Sequence, residues 1–245
     1  MKAKLSKVLG NSGVASFSSS ILAIIVGLLF GLVILLVSNP GQAFQGFSKI
    51  LLGGFSNGAA GIGRVIYFAV PIIMTGLSVG FAFKTGIFNI GASGHFTVGA
   101  FVAIYIGVRW TWLPGYSHWI VALIAAAIAG AIWGFVPGLL KAIANVNEVI
   151  SAIIMNYIGM YLVNMLILKT VPDRLKIQSA PVAKSAQIPK WGINQLFPDK
   201  SVNGAILIVL LVVILVYIII NKTTFGFELK ACGKNPNASR YAGIN

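Results

Sequence analysis

The chain has 245 residues, of which 58% are hydrophobic and only 9% charged, with a mean hydropathy of +0.92. This excludes an ordinary soluble domain, in which about 25% of residues are charged, and the continuous rather than alternating apolar runs exclude a β-barrel. The formal charge of +14 is scattered between apolar runs without an arginine-rich or aromatic-basic patch, so it orients spans and meets anionic lipid rather than a nucleic acid polymer.

Lys2, Lys4 and Lys7 lead into the apolar run 17–37. That run is too long for the core of a cleavable signal peptide, and "SNPGQ" behind it is a poor cleavage site, so a retained first span is expected. The Gly-rich segment 41–63 is only moderately apolar and suits an interfacial or re-entrant piece. Further spans are predicted over 65–83, 86–108, 118–140, 147–168 and 204–220, each near the roughly 20 residues that cross a bilayer. The fold class is therefore all-α, a polytopic transmembrane helical bundle of about six spans.

Between the third and fourth of these lies 109–119, "RWTWLPGYSHW". Trp110, Trp112, Tyr116 and Trp119 suit the headgroup region, where an amphipathic ring is half wet; His118 is placed there with them. Loop 169–203 is the longest polar stretch and holds Pro172, Pro181, Pro189 and Pro198. An inner N-terminus puts residue 221 onward in the cytoplasm. The basic residues divide evenly between the two sides, but most outer ones lie in that single loop, and the remaining loops favour the inner N-terminus.

The polar residues inside the apolar regions mark where function can sit. The segment 84–101, "KTGIFNIGASGHFTVGAF", carries Gly86, Asn89, Gly91, Ser93, Gly94, His95, Thr97 and Gly99. Small residues allow close helix packing in lipid; they equally permit a helix break whose backbone can hold a solute. Both readings stay open on the residues alone. In 141–164, "KAIANVNEVISAIIMNYIGMYLVN", Asn145 and Glu148 have capping-box spacing, with Asn in place of Ser or Thr. Asn156 falls in mid-span and needs other helices or a wet cavity; it lies roughly 80° around the helix from Glu148. In the tail 221–245, Asn235 can cap, Pro236 suits the first helical position and Gly243 the end, which predicts a short helix near 236–242 after a polar lead. That tail can lie on lipid, dock in a partner's groove or form a solvated loop.

Two His, one Cys and four acids spread along the chain give no convergent set for catalysis or metal binding. The lone Cys232 excludes an intrachain disulfide and a cysteine-based metal site. No G-x-x-x-x-G-K-[ST] phosphate loop is present, and no cofactor is expected. An ion-coupled transporter would have only Glu148 and His95 as proton-relay groups.

Three segments together resemble the membrane permeases of bacterial ABC importers for branched-chain amino acids, simple sugars and nucleosides. "TGIFNIGASGHFTVGAF" is similar to that family's Gly-Asn-Gly segment. "NEVISAIIMNYI" resembles its Asn-Glu-Val plus Met-Asn-Tyr segment, closest to the nucleoside (Bmp-associated) branch. "LKACGKNPNASRYAGIN" is similar to the cytoplasmic coupling loop, whose short helix docks on the ATPase. His95 stands where many relatives carry Gln, Ser93 where Glu is frequent, and Lys230 and Cys232 where Arg and Val are common.

The resemblance implies a single permease domain over 1–245, the N-terminal part of a longer permease because relatives continue into further spans, with 221–245 as its coupling loop. It implies a plasma-membrane transporter subunit rather than an enzyme. Its expected partners are a cytoplasmic ABC ATPase that hydrolyses ATP, a second permease subunit and an extracellular lipid-anchored substrate-binding protein. Asn89, Ser93, His95, Asn156 and Tyr157 become the expected substrate path. Gly86, Gly91, Gly94 and Gly99 become helix-break or packing positions, and Asn145 and Glu148 a cap or path pair. Gly233, Asn235, Pro236, Arg240 and Gly243 become the ATPase-coupling set. A nucleoside is the preferred solute, with simple sugars or branched-chain amino acids as alternatives.

Overall fold

The computed structural model describes residues 12–173 and 175–244; Lys2, Lys4 and Lys7 of the basic lead lie outside them. Helices α1 (Ser12–Ser38) and α2 (Ala43–Leu52) belong to a first compact unit that ends at Ile62. In α1 the run Ile21–Val37 turns large apolar side chains outward all along its length, which is stable only against lipid or other apolar surfaces. At 10 residues, α2 is about 15 Å long and too short to cross a bilayer. The segment expected to be interfacial or re-entrant is thus a short helix followed by turns.

The second unit begins at Gly63. Its elements are the remainder of α3 (Gly58–Lys84), then α4 (Ala92–Arg109), α5 (Gly115–Ala144), α6 (Glu148–Thr170), α7 (Ile193–Leu196), α8 (Ala205–Lys222), α9 (Thr224–Lys234) and α10 (Pro236–Tyr241). Among the described residues there is no strand, only an isolated bridge between Pro172 and Ser179.

Among the described residues five helices are long and apolar enough to span a membrane: α1 from Phe17, α3, α5, α6 and α8. The remaining predicted segment, 86–108, is helical only over Ala92–Arg109. Residues 85–91 are instead an irregular connector. Gly86 has a φ of 77°, a left-handed conformation that only glycine adopts freely. Ser93, His95 and Arg109 hold the hydropathy of α4 below that of the five.

Glycines set the packing of α4, α5 and α6. A Cβ on Gly99 would lie 2.9 Å from the Ala126 carbonyl oxygen of α5, and one on Gly94 would lie 2.7 Å from Asn156 Oδ1 of α6. Trp133 of α5 donates its indole N–H to the Met155 carbonyl of α6 (3.2 Å), and its ring lies against Gly159. Small residues thus let three backbones approach in a setting without a hydrophobic drive between helices.

The α5–α6 junction corrects the expected cap. Asn145 is the C-cap of α5, left-handed at φ 49°, a conformation in which Asn is tolerated after Gly. The N-cap of α6 is Asn147, whose Oδ1 accepts the backbone N–H groups of Val149 (2.9 Å) and Ile150 (3.4 Å). The box spacing of Asn145 and Glu148 is coincidental, because the helix begins only at Glu148. Glu148 instead pairs with Lys141 at 3.2 Å.

Loop 171–204 ties helix ends together. Arg64 of α3 pairs with Asp199 at 3.0 Å, and a Cβ on Gly63 would lie 2.8 Å from both Phe197 Cβ and Val202 Cγ2. Arg109 at the end of α4 donates to the Thr170 carbonyl. Trp119 meets Trp191 edge-on at 5.7 Å. His118 is fully buried, with Nδ1 2.8 Å from Ser185 Oγ and Nε2 3.0 Å from the Ile106 carbonyl oxygen. The expectation of a half-wet His118 is therefore corrected: two polar partners from α4 and the loop satisfy both nitrogens inside the fold. Trp112 and Tyr116 remain exposed.

Candidate functional site

The connector 85–91 and the first turns of α4 organise the polar centre of the second unit. Asn89 Oδ1 accepts the Gly91 N–H at 2.8 Å, a local turn that ends the connector and starts the helix. Asn156 reaches across from α6 with both ends of its amide. Its Oδ1 accepts the Gly94 N–H and its Nδ2 donates to the Ile90 carbonyl, each at 2.9 Å. This explains an Asn in mid-span: it pairs backbone groups that the helix break leaves without helical partners.

The expected path residues divide between two faces of α4. Ser93 and Thr97 line a cavity of about 380 Å³ with Asn156 and Tyr157. His95 points the other way. Its ring lies between Gly91 and Gly134, where an added Cβ on either would come within 3.0 Å of a ring atom. Nε2 is buried and has no hydrogen-bond partner among the described residues.

His95 borders two further cavities. One, of about 530 Å³, lies between α3, α4 and α5, with Thr75, Ser78, Gly99, Ala127 and Gly130 among its walls. The other, of about 330 Å³, lies toward the C-terminal ends of α3 and α5, and Thr85, Asn89, Lys141 and Glu148 face it. The Lys141–Glu148 pair supplies opposite charges at that end. Glu148, expected as part of a cap or of the path, lines this cavity together with Asn89, whereas Asn156 lines the one with Ser93 and Thr97.

The tail forms two helices. Thr223 caps α9 by accepting the Gly226 N–H at 3.1 Å, and Gly226 fits directly under the Ile219 and Ile220 carbonyls of α8. Asn235 caps α10 by accepting the Ala238 N–H at 3.0 Å, with Pro236 in the first turn. After α10, Gly243 turns the chain at φ 82°, and Ser239 is buried. Arg240 sits in the last turn, and Tyr241 is almost fully exposed. Helix α9 was not foreseen, because Gly226 and Gly233 made the lead look like a loop.

Gly233 joins this tail to the connector. A Cβ on Gly233 would lie 2.6 Å from the Thr85 carbonyl carbon, and one on Gly86 would lie 2.5 Å from the Gly233 carbonyl oxygen. The tail therefore abuts the segment that carries Asn89 and leads into His95. Sequence reasoning named Gly86 and Gly233 separately and had no signal for their pairing. It also missed Asn147, Thr223 and Ser185, whose partners are set by the fold.

A half-buried polar centre between apolar spans, with a helical tail against its connector, defines a multi-pass membrane protein with cavities of small-molecule size among its helices. Residues 61–245 match the family described as the branched-chain amino acid transport system / permease component, and the chain belongs to it. It is 40% identical over 225 residues to the guanosine ABC transporter permease protein NupP of Bacillus subtilis (strain 168), covering 92% of this chain and 64% of the relative. It is 30% identical to the nucleoside ABC transporter permease protein NupB of Lactococcus lactis, covering 92% of this chain and 63% of the relative. A glucose ABC transporter permease protein of Haloferax volcanii is 28% identical, with 94% and 62% covered. The chain thus spans a little under two thirds of the length of these relatives. No solved structure matches it.

Proposed function

We propose that the chain is the permease subunit, or the N-terminal part of one, of an ATP-binding cassette importer that brings a nucleoside into the cell. The observation that carries this reading is the 40% identity to a guanosine permease across 92% of the chain. The cavities of about 530 and 330 Å³ support it, being in the range of small-molecule sites.

In this reading the N-terminus is cytoplasmic, so the C-terminal ends of α3 and α5 and the helices α9 and α10 face the cytoplasm. The exposed face of α10, with Arg240 and Tyr241, docks on a separate ATPase that hydrolyses ATP. A binding protein delivers solute at the opposite side, where loop 171–204 ties the helix ends, and a second permease subunit completes the path. Among the expected path residues, Ser93, Asn156 and Tyr157 line one cavity, and Asn89 and His95 line the cavities on the other face of α4. Asn156 acts mainly by holding α4 in place, since its amide already serves Gly94 and Ile90.

The test is uptake of labelled guanosine into cells carrying the complete system, together with co-purification of the tagged permease. The expected result is ATP-dependent uptake competed by adenosine and uridine, with an ATPase retained on the tagged chain and lost when Asn235 and Arg240 are replaced by Ala and Glu. Competition by ribose or leucine but not by nucleosides would overturn the solute. Uptake that survives ATP depletion and is abolished by a protonophore would overturn the ATP-driven mechanism.

A further inference from the structure

We infer that the imidazole of His95 is the partition between two successive chambers of the solute path, and that a crossing solute must displace it. The inference rests on the permease reading above for what crosses, and on geometry for where.

The two cavities lie on the same helices at successive turns. The larger is bounded by Val70–Ser78 of α3 and Leu123–Ala131 of α5. The smaller is bounded by Phe81–Asn89, from the end of α3 into the connector, and by Gly134–Ala142 of α5. Among the described residues His95 alone lines both. Its ring fills the level between them, and it fits there because Gly91 on one side and Gly134 on the other lack side chains.

The ring's chemistry makes this position unequal to simple packing. Nε2 is buried without a donor or acceptor partner among the described residues, whereas the other histidine, His118, has both nitrogens paired. A buried imidazole nitrogen without a partner is unfavourable, so the closed position is held by shape rather than by hydrogen bonding. Swinging the ring out of the slot joins the chambers and frees Nε2 to bond a polar solute edge. The wall of Gly99, Ala127 and Gly130 offers a flat apolar surface to the face of a planar ring. His95 therefore favours a solute that is a flat heterocycle with hydrogen-bonding groups at its rim, the chemistry of a nucleobase.

Two measurements test this in membranes carrying the complete system. The first is guanosine uptake by His95→Phe, which keeps the wall and removes the nitrogens, and by His95→Gln, which keeps a polar end. Uptake by the Phe variant is expected to fall on the order of tenfold, the loss of one hydrogen bond to the solute, with Gln retaining more. Equal uptake by wild type, Phe and Gln would overturn the solute contact. The second measurement needs no transport. In a Cys232→Ser background, Ser78→Cys and Ala142→Cys mark the larger and smaller chambers. A membrane-impermeant thiol reagent added from one side should label only the near chamber while His95 is present, and both in His95→Ala. Labelling that is indifferent to residue 95 would overturn the partition. Wild-type membranes that take up no nucleoside would instead overturn the permease reading for that solute, and the labelling result would stand apart from it.

Discussion

Gly86 and Gly233, 147 positions apart in the chain, meet backbone to backbone so closely that neither position has room for a methyl group. One belongs to the connector before α4 and the other to the last turn of α9. Gly86→Ala adds to this overlap the left-handed backbone cost of about 1–2 kcal/mol, whereas Gly243→Ala, with φ 82° in open surroundings, carries the backbone cost alone. Thermal denaturation of the purified protein should place Gly86→Ala well below Gly243→Ala. Gly233→Ala, which has no left-handed cost, should still be destabilised by the overlap. Equal melting temperatures for Gly233→Ala and wild type would show that the two segments part freely.

Asn156 supports the start of α4 through two backbone hydrogen bonds. Asn156→Leu leaves the Gly94 N–H and the Ile90 carbonyl without their partner and is expected to cost about 2–4 kcal/mol. Asn156→Asp keeps the acceptor and loses the donor, so it should fall between. Hydrogen exchange measured over 90–95 checks this: faster exchange there in both variants, greatest in Leu, is the expected outcome. Unchanged protection would remove the staple role.

Asn147 rather than Asn145 caps α6. Asn147→Ala should lower stability by about 1 kcal/mol. Asn145→Gly should be neutral or slightly stabilising, because glycine adopts the left-handed C-cap more easily. A melting-temperature comparison that ranks the two the other way would contradict the junction.

Asp199 predicts a pH dependence. The backbone N–H of Ser201 and the Arg64 side chain hold its carboxyl below the usual carboxylate range. A lowered folded value contributes stability above the unfolded pKa of about 3.9 that is lost as pH falls through the folded value. The melting-temperature gap between wild type and Asp199→Asn should be present at pH 7 and shrink below about pH 4. A constant gap across that range would mean that charge plays no part.

The long apolar runs were legible because hydropathy and length are local properties, and α3, α5, α6 and α8 lie within a few residues of their expected bounds apart from the extra turns that open α3 and close α5. The start of α4 was not, because Gly86 to Gly91 allow a helix or a break equally and the choice depends on Asn156, distant in sequence. The cap of α6 was misplaced because the box spacing fits Asn145 and not Asn147, and only the helix start at Glu148 shows that Asn147 is the cap. His118 was misassigned because aromatic neighbours suggested an interface, while its partners Ser185 and Ile106 come from other elements. The short helix after Pro236 was legible in its own caps; its role toward an ATPase rests on the family resemblance. Among the expected path residues, sequence named the polar side chains but not their division between the two faces of α4.

Helix α3 is held near both ends, by Arg64 and Gly63 against the 197–202 turn and through Thr85 and Gly86 against Gly233. Along its middle it borders the larger cavity, and there Pro71 withholds one backbone N–H while Thr75 turns its hydroxyl back to the Pro71 carbonyl. A beam pinned at its two supports and weakened at mid-length can bow but cannot slide. The volume beside His95 is then set by curvature, so small displacements at the Gly86 support translate into widening at the centre rather than into travel of the whole span.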